Sequence, residues 1–125
     1  MILSTIRMVI PAKKHNEVIK ILRSIALKTR DESGCLGCCI YRDVEDNNVF
    51  MFQQHWKSEE SLNLHVCSVY YLNILLILEM SIKQPEVRFE TISDSTGIET
   101  IEKMRSTILQ TEVNYPDGHR KVRTK

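Results

Sequence analysis

Residues 2–10 alternate strictly: Ile2, Ser4, Ile6, Met8 and Ile10 fall on one face, Leu3, Thr5, Arg7 and Val9 on the other. A two-residue period marks a half-buried strand, and Pro11, which lacks a backbone donor, ends it. From Lys13 to Arg30 the period changes. Val18, Ile21, Leu22, Ile25, Ala26 and Thr29 recur at intervals of three and four, with Lys14, Glu17, Lys20 and Lys28 mostly off that stripe. This predicts an amphipathic helix that stops near Ser33-Gly34. A second strand is expected over about 37–43, a polar turn at Glu45-Asp46-Asn47-Asn48, and a third strand over about 49–56. In the third, Phe50, Phe52, Gln54 and Trp56 share one face, and Val49, Met51, Gln53 and His55 share the other.

Ser58-Glu59-Glu60 reads as an N-cap followed by acids in a first helical turn. The helix it opens carries Leu62, Leu64 and His65, breaks near Ser68 and resumes through Tyr70 to Met80; a last strand follows Pro85, from Glu86 to Ile92. The order β-α-β-β-α-β predicts an α+β, ferredoxin-like domain over residues 1–93, with helices on one face of an antiparallel sheet. The uncovered face, with Leu3, Val9, Val49 and Met51, predicts a homodimer packed sheet to sheet. Residues 94–125 are an extension: a short helix over about 98–110, with Ile98, Ile101 and Ile108 on one side, then a basic tail expected to be disordered.

Charge narrows the function classes. The chain has 17 Lys and Arg against 16 Asp and Glu, and four of those bases lie in its last seven residues. The remainder is net acidic, which argues against nucleic acid as a partner. The longest apolar run, Ile74 to Leu78, stops at Glu79, far short of the ~20 residues that cross a bilayer. The start lacks a basic segment before an apolar one, so the chain reads as cytoplasmic, without a membrane partner. Cys35 and Cys38 have a C-x-x-C spacing, but they enter a strand rather than a helix, and no second ligand pair follows. Small buried thiols are therefore expected for these two, Cys39 and Cys67, and no metal site.

Three stretches carry a resemblance: Glu32-Ser33-Gly34-Cys35-Leu36-Gly37-Cys38; Tyr41-Arg42-Asp43; and Gln54-His55-Trp56-Lys57-Ser58-Glu59-Glu60-Ser61-Leu62 followed by His65. With Pro85-Glu86-Val87 they resemble the antibiotic biosynthesis monooxygenase family across residues 2–93. The resemblance implies a dimeric α+β barrel with a pocket between helices and sheet in each subunit. It also implies one of several activities: cofactor-independent oxygenation of hydroquinones or polycyclic phenols, haem degradation, or isomerisation of small sugar-derived molecules. Where the family often has a glutamate two residues before the tryptophan, this chain has Gln54, whose amide is no general base.

Cofactor-free oxygenation needs one base to make an electron-rich phenolate, and dry aromatic walls to shelter it. His65 is the expected base and Trp56 the wall or an N–H donor. Phe50, Phe52, Gln54 and Tyr70 or Tyr71 are expected to line the rest; with Tyr70 and Tyr71 adjacent, at most one points inward. Arg7 steadies an oxyanion only if its strand face, opposite Ile6 and Met8, looks into the pocket. No cofactor is expected; the partner is a small aromatic molecule. Two alternatives stand beside this. The catalytic reading predicts an open cavity bounded by Trp56 and His65; in a non-catalytic binding or structural dimer, Leu62, Val69, Leu72, Leu76 and Phe52 fill it. In a haem-binding enzyme His65 is the axial ligand, although the Asn that branch places on the first strand is missing here.

Overall fold

The structure is a computed structural model that describes residues 1–113, with side chains through residue 110. The elements are β1 (Ile2–Val9), a single 3-10 turn (Ala12–Lys14), α1 (His15–Arg30), β2 (Cys35–Arg42), β3 (Val49–Trp56), α2 (Glu59–Val66), α3 (Tyr71–Glu79), β4 (Glu86–Thr91) and α4 (Ile98–Val113). The strands form one antiparallel sheet in the order β2-β3-β1-β4, the ferredoxin-like arrangement that the alternating periods predict. The basic tail expected to be disordered lies outside the described residues.

Register follows from the alternation. Ile2, Ser4, Ile6 and Met8 stand opposite Trp56, Gln54, Phe52 and Phe50, so the buried sides of β1 and β3 form one surface. The α1 stripe of Val18, Leu22, Ile25 and Ala26 packs on it together with Tyr71, Ile74 and Ile77 from α3. A second, smaller cluster of Ile2, Trp56 and Leu62 closes the end where β3 turns into α2.

Turn chemistry sets the connections. The Asp43 carboxylate accepts from the amides of Glu45 and Asp46, which shapes the β2–β3 hairpin. Ser58 caps α2, its hydroxyl accepting from Ser61 N at 3.2 Å. At the predicted break, the Ser68 hydroxyl donates to the His65 carbonyl at 2.7 Å and ends α2. The axes of α2 and α3 differ by 68°, and among the described residues no single helix is long and apolar enough to cross a membrane.

Gly34 sits at φ +86°, and a Cβ there would collide with the Ser61 side chain. Its carbonyl accepts from Lys57 N at 2.8 Å, joining the α1–β2 turn to the start of α2. Gly34→Ala therefore meets both a left-handed backbone and a clash; a loss of about 2 kcal/mol or more in urea unfolding is expected.

Two sequence expectations change in detail. Cys38 is buried and Cys35 half-buried, Cys39 is exposed on the alternate side of β2, and Cys67, at the C-cap of α2, is exposed; all four are free thiols. Val69, Leu72 and Leu76 are exposed, since the bend after α2 turns the Tyr71, Ile74 and Ile77 side of α3 to the core. On the open sheet face Val49 is buried and Leu3, Val9 and Met51 half-buried, while Arg7 pairs there with Glu86 at 3.3 Å.

The chain divides into two compact units, Met1–Ser93 and Asp94–Lys125. In the second, α4 exposes Ile98, Ile101, Met104, Ile108 and Leu109.

Candidate functional site

Four side chains from three parts of the chain meet inside the Met1–Ser93 unit. Trp56 is the last residue of β3. Gln54, two residues earlier, points to the same side of the sheet because strand side chains alternate. His65 lies in the last turn of α2, and Glu32 in the turn that follows α1. Trp56 Nε1 donates to Gln54 Oε1 at 3.2 Å, Gln54 Nε2 stands 3.1 Å from His65 Nε2, and His65 Nδ1 donates to the Glu32 carboxylate, 3.1 Å from each oxygen.

Trp56 and His65 are both 0 % exposed, whereas the Glu32 side chain is 29 % exposed. The chain of contacts thus runs from the interior to the surface. Aromatic rings enclose the imidazole: Trp56 lies at 4.7 Å between centroids, tilted by 34°, and Tyr71 meets it edge-on at 5.3 Å. Burial raises the Tyr71 hydroxyl above its ordinary pKa. Trp56 Nε1, the Gln54 amide and both His65 ring nitrogens each have a partner, as burial demands.

Cys38 adjoins the cluster, with Gln54 Nε2 3.9 Å from its sulfur. Burial pushes this thiol up to about 12, outweighing the hydrogen bond from Gln54. Thiol reagents act through the thiolate. Under native conditions maleimide is expected to label Cys39 and Cys67 rapidly and to spare Cys38 until urea unfolds the chain, as peptide mapping would show. Cys38 also lines an open cleft of about 320 Å³ along the β2 edge, with Arg30, Cys35, Leu36, Gly37 and Cys39. Among the described residues no three His, Cys, Asp or Glu side chains converge as a metal ion would require.

The structure brings His65, Trp56, Gln54 and Tyr71 together, keeps Phe52 beside Gln54 on the same face of β3, and places Phe50, Tyr70 and Arg7 elsewhere. Phe52 and Phe50 share the Trp56 side of β3, but Phe50 lies six residues away, about 20 Å along the strand. It packs against His15 and lies beneath Arg42. Arg7 is on the opposite sheet face, bonded to Glu86. Tyr70 is 43 % exposed with Lys28 Nζ 4.2 Å above its ring, and its neighbour Tyr71 turns inward. No open cavity separates Trp56 from His65; the two rings are in contact.

Glu32 is the partner that sequence spacing misses. It stands 33 residues from His65 and is joined to it only by the packing of the α1–β2 turn on α2. The one sign of it in the sequence is its place in the Glu32-Ser33-Gly34-Cys35 stretch.

Comparison with known proteins agrees with this architecture. A structure from Deinococcus radiodurans assigned as an antibiotic biosynthesis monooxygenase superposes with a TM-score of 0.71 at 19% identity, covering 78% of this chain and 98% of that one. A conserved protein of Methanosarcina mazei gives 0.66 at 24% identity, with 71% and 89% covered, and Rv0793 of Mycobacterium tuberculosis gives 0.69 at 18%, with 77% and 98% covered. At these identities the likeness speaks for the fold. An uncharacterized Synechocystis protein, sll1783, is 28% identical over 58 residues, a stretch that is 46% of this chain and 40% of that protein. The sequence profile of the antibiotic biosynthesis monooxygenases matches residues 1–75, more than half of the chain and the part that carries Glu32, Gln54, Trp56 and His65. The chain belongs to the antibiotic biosynthesis monooxygenase family.

Proposed function

We propose that this chain is a cofactor-independent monooxygenase for a small phenol or hydroquinone-like aromatic, with His65 as the proton acceptor. The observation that supports it is the buried His65, oriented by a carboxylate on Nδ1 and walled by Trp56 and Tyr71. A base held by a third group inside aromatic walls is what such chemistry asks of a protein. His65 takes the phenolic proton, and the electron-rich phenolate passes an electron to dioxygen. The two radicals recombine at a ring carbon, and loss of water leaves a quinone: one oxygen atom enters the product and the other leaves as water. Glu32 orients the ring and offsets the charge that forms on it. The cleft beside Cys38 is the entry route, since its lining residue Cys38 also touches Gln54.

Residues 1–93 carry this activity and residues 94–125 form an extension. The enzyme works as a homodimer through the open sheet face, the side of the sheet opposite α1 and α3; light scattering is expected to give twice the monomer mass, and a monomer mass contradicts it. Four free thiols suit a reducing cytoplasm.

One observation favours a second reading, a non-catalytic binding protein braced by its polar cluster. Both ring nitrogens of His65 already have protein partners. A haem iron would likewise have to displace Gln54 to reach Nε2, so the haem-degrading alternative has the least support. Oxygen uptake with a panel of hydroquinones and naphthols separates the readings. Uptake above the autoxidation blank that is lost in His65→Ala supports the oxygenase with His65 as its base; uptake indifferent to His65 removes that base, and no uptake selects the brace.

A further inference from the structure

We propose that Trp56 and Gln54 set the direction of hydrogen bonding through the cluster, so that His65 holds out an unprotonated Nε2 and accepts only a ligand that donates a hydrogen bond to it. The ligand half rests on the function proposed above. An indole N–H can only donate, and a carboxylate can only accept. These two fixed ends enclose two groups that can each be turned either way, the Gln54 amide and the His65 imidazole. Trp56 Nε1 donates to Gln54 Oε1 at 3.2 Å, which leaves the Gln54 NH₂ facing His65 Nε2 at 3.1 Å. That nitrogen must then be a bare acceptor, with the ring proton on Nδ1 toward Glu32. Every other orientation sets two donors, or two acceptors, against each other in a buried site.

Trp56 and Gln54 are therefore positioning residues for the base. Gln54 also holds the place of the substrate: a phenolic O–H takes over the donation that its amide makes to Nε2. A methyl ether of the same shape presents only acceptors there and leaves the lone pair without a donor. The groups facing His65 are Glu32 from the α1–β2 turn, Gln54 and Trp56 from β3, and Tyr71 from α3.

Two measurements test the two halves. In ¹⁵N-labelled protein at neutral pH, the two-bond correlation of the His65 ring should show Nδ1 protonated and Nε2 bare. The conservative variant Gln54→Glu, which replaces the donor by an acceptor, should bring a proton onto Nε2, and Trp56→Phe, which frees the Gln54 amide to turn, should do so in a fraction of the molecules. A protonated Nε2 in the wild type overturns the first half, as does a ring unchanged in the folded variants. Under argon, quenching of Trp56, the chain's one tryptophan, should show hydroquinone binding about tenfold or more tightly than 1,4-dimethoxybenzene. Equal binding overturns the ligand half alone. Binding of neither overturns it together with the function it rests on, and the tautomer result stands apart from both.

Discussion

Trp56→Ala is expected to lower the free energy of unfolding by about 3–5 kcal/mol, the range for removing a fully buried large aromatic. The side chain is 0 % exposed and touches two environments. On one side it completes the small cluster with Ile2 and Leu62; on the other it lies against the His65 ring. Truncation leaves a cavity between β3 and α2, and it leaves Gln54 Oε1 without its donor inside that cavity. Trp56→Phe keeps most of the volume, so a smaller loss is expected, about 1–2 kcal/mol, from the indole N–H and the second ring. Urea unfolding measures both. A loss below ~1 kcal/mol for Trp56→Ala would show that the end of the sheet is far more loosely packed than described.

His65→Ala is expected to lower kcat/KM for hydroquinone oxidation by about a hundred- to ten-thousand-fold, the usual contribution of a positioned general base. Glu32→Gln should cost less, because an amide oxygen still accepts from Nδ1 while the charge that steadies the protonated ring is gone. The two effects should not add, since Glu32 acts only through His65. Circular dichroism and urea midpoints on the same samples separate lost chemistry from lost fold. Equal rates for wild type and His65→Ala would remove the base from the mechanism.

The fold was legible because hydrophobic period changes at each boundary: two in residues 2–10, three to four in 15–30, two again in 49–56. The exposed leucines of α3 were not. Leu72, Leu75 and Leu76 are as apolar as Ile74 and Ile77, and only the bend after Ser68 decides which side meets the sheet. At the site, local spacing placed Gln54 and Trp56 side by side, because residues i and i+2 of a strand share a face. Spacing could not choose Tyr71 over Tyr70, since a helix start sets that angle, nor find Glu32, whose approach to His65 depends on how the α1–β2 turn packs. Nor does the spacing of Phe50 say that β3 carries it far from Trp56.

Gln54 is where the two levels meet. Read as a residue type, it is the loss of a carboxylate that the family often has. In place, its amide links Trp56 to His65 and leaves the imidazole nitrogen bare.

The most direct measurement of the central claim is a crystal structure of the protein soaked anaerobically with hydroquinone. The account predicts hydroquinone in the place that the Gln54 amide vacates, with one hydroxyl about 2.7–3.0 Å from His65 Nε2 and the His65–Glu32 contact intact. Hydroquinone bound elsewhere, with the Gln54–His65 contact unbroken, would contradict it.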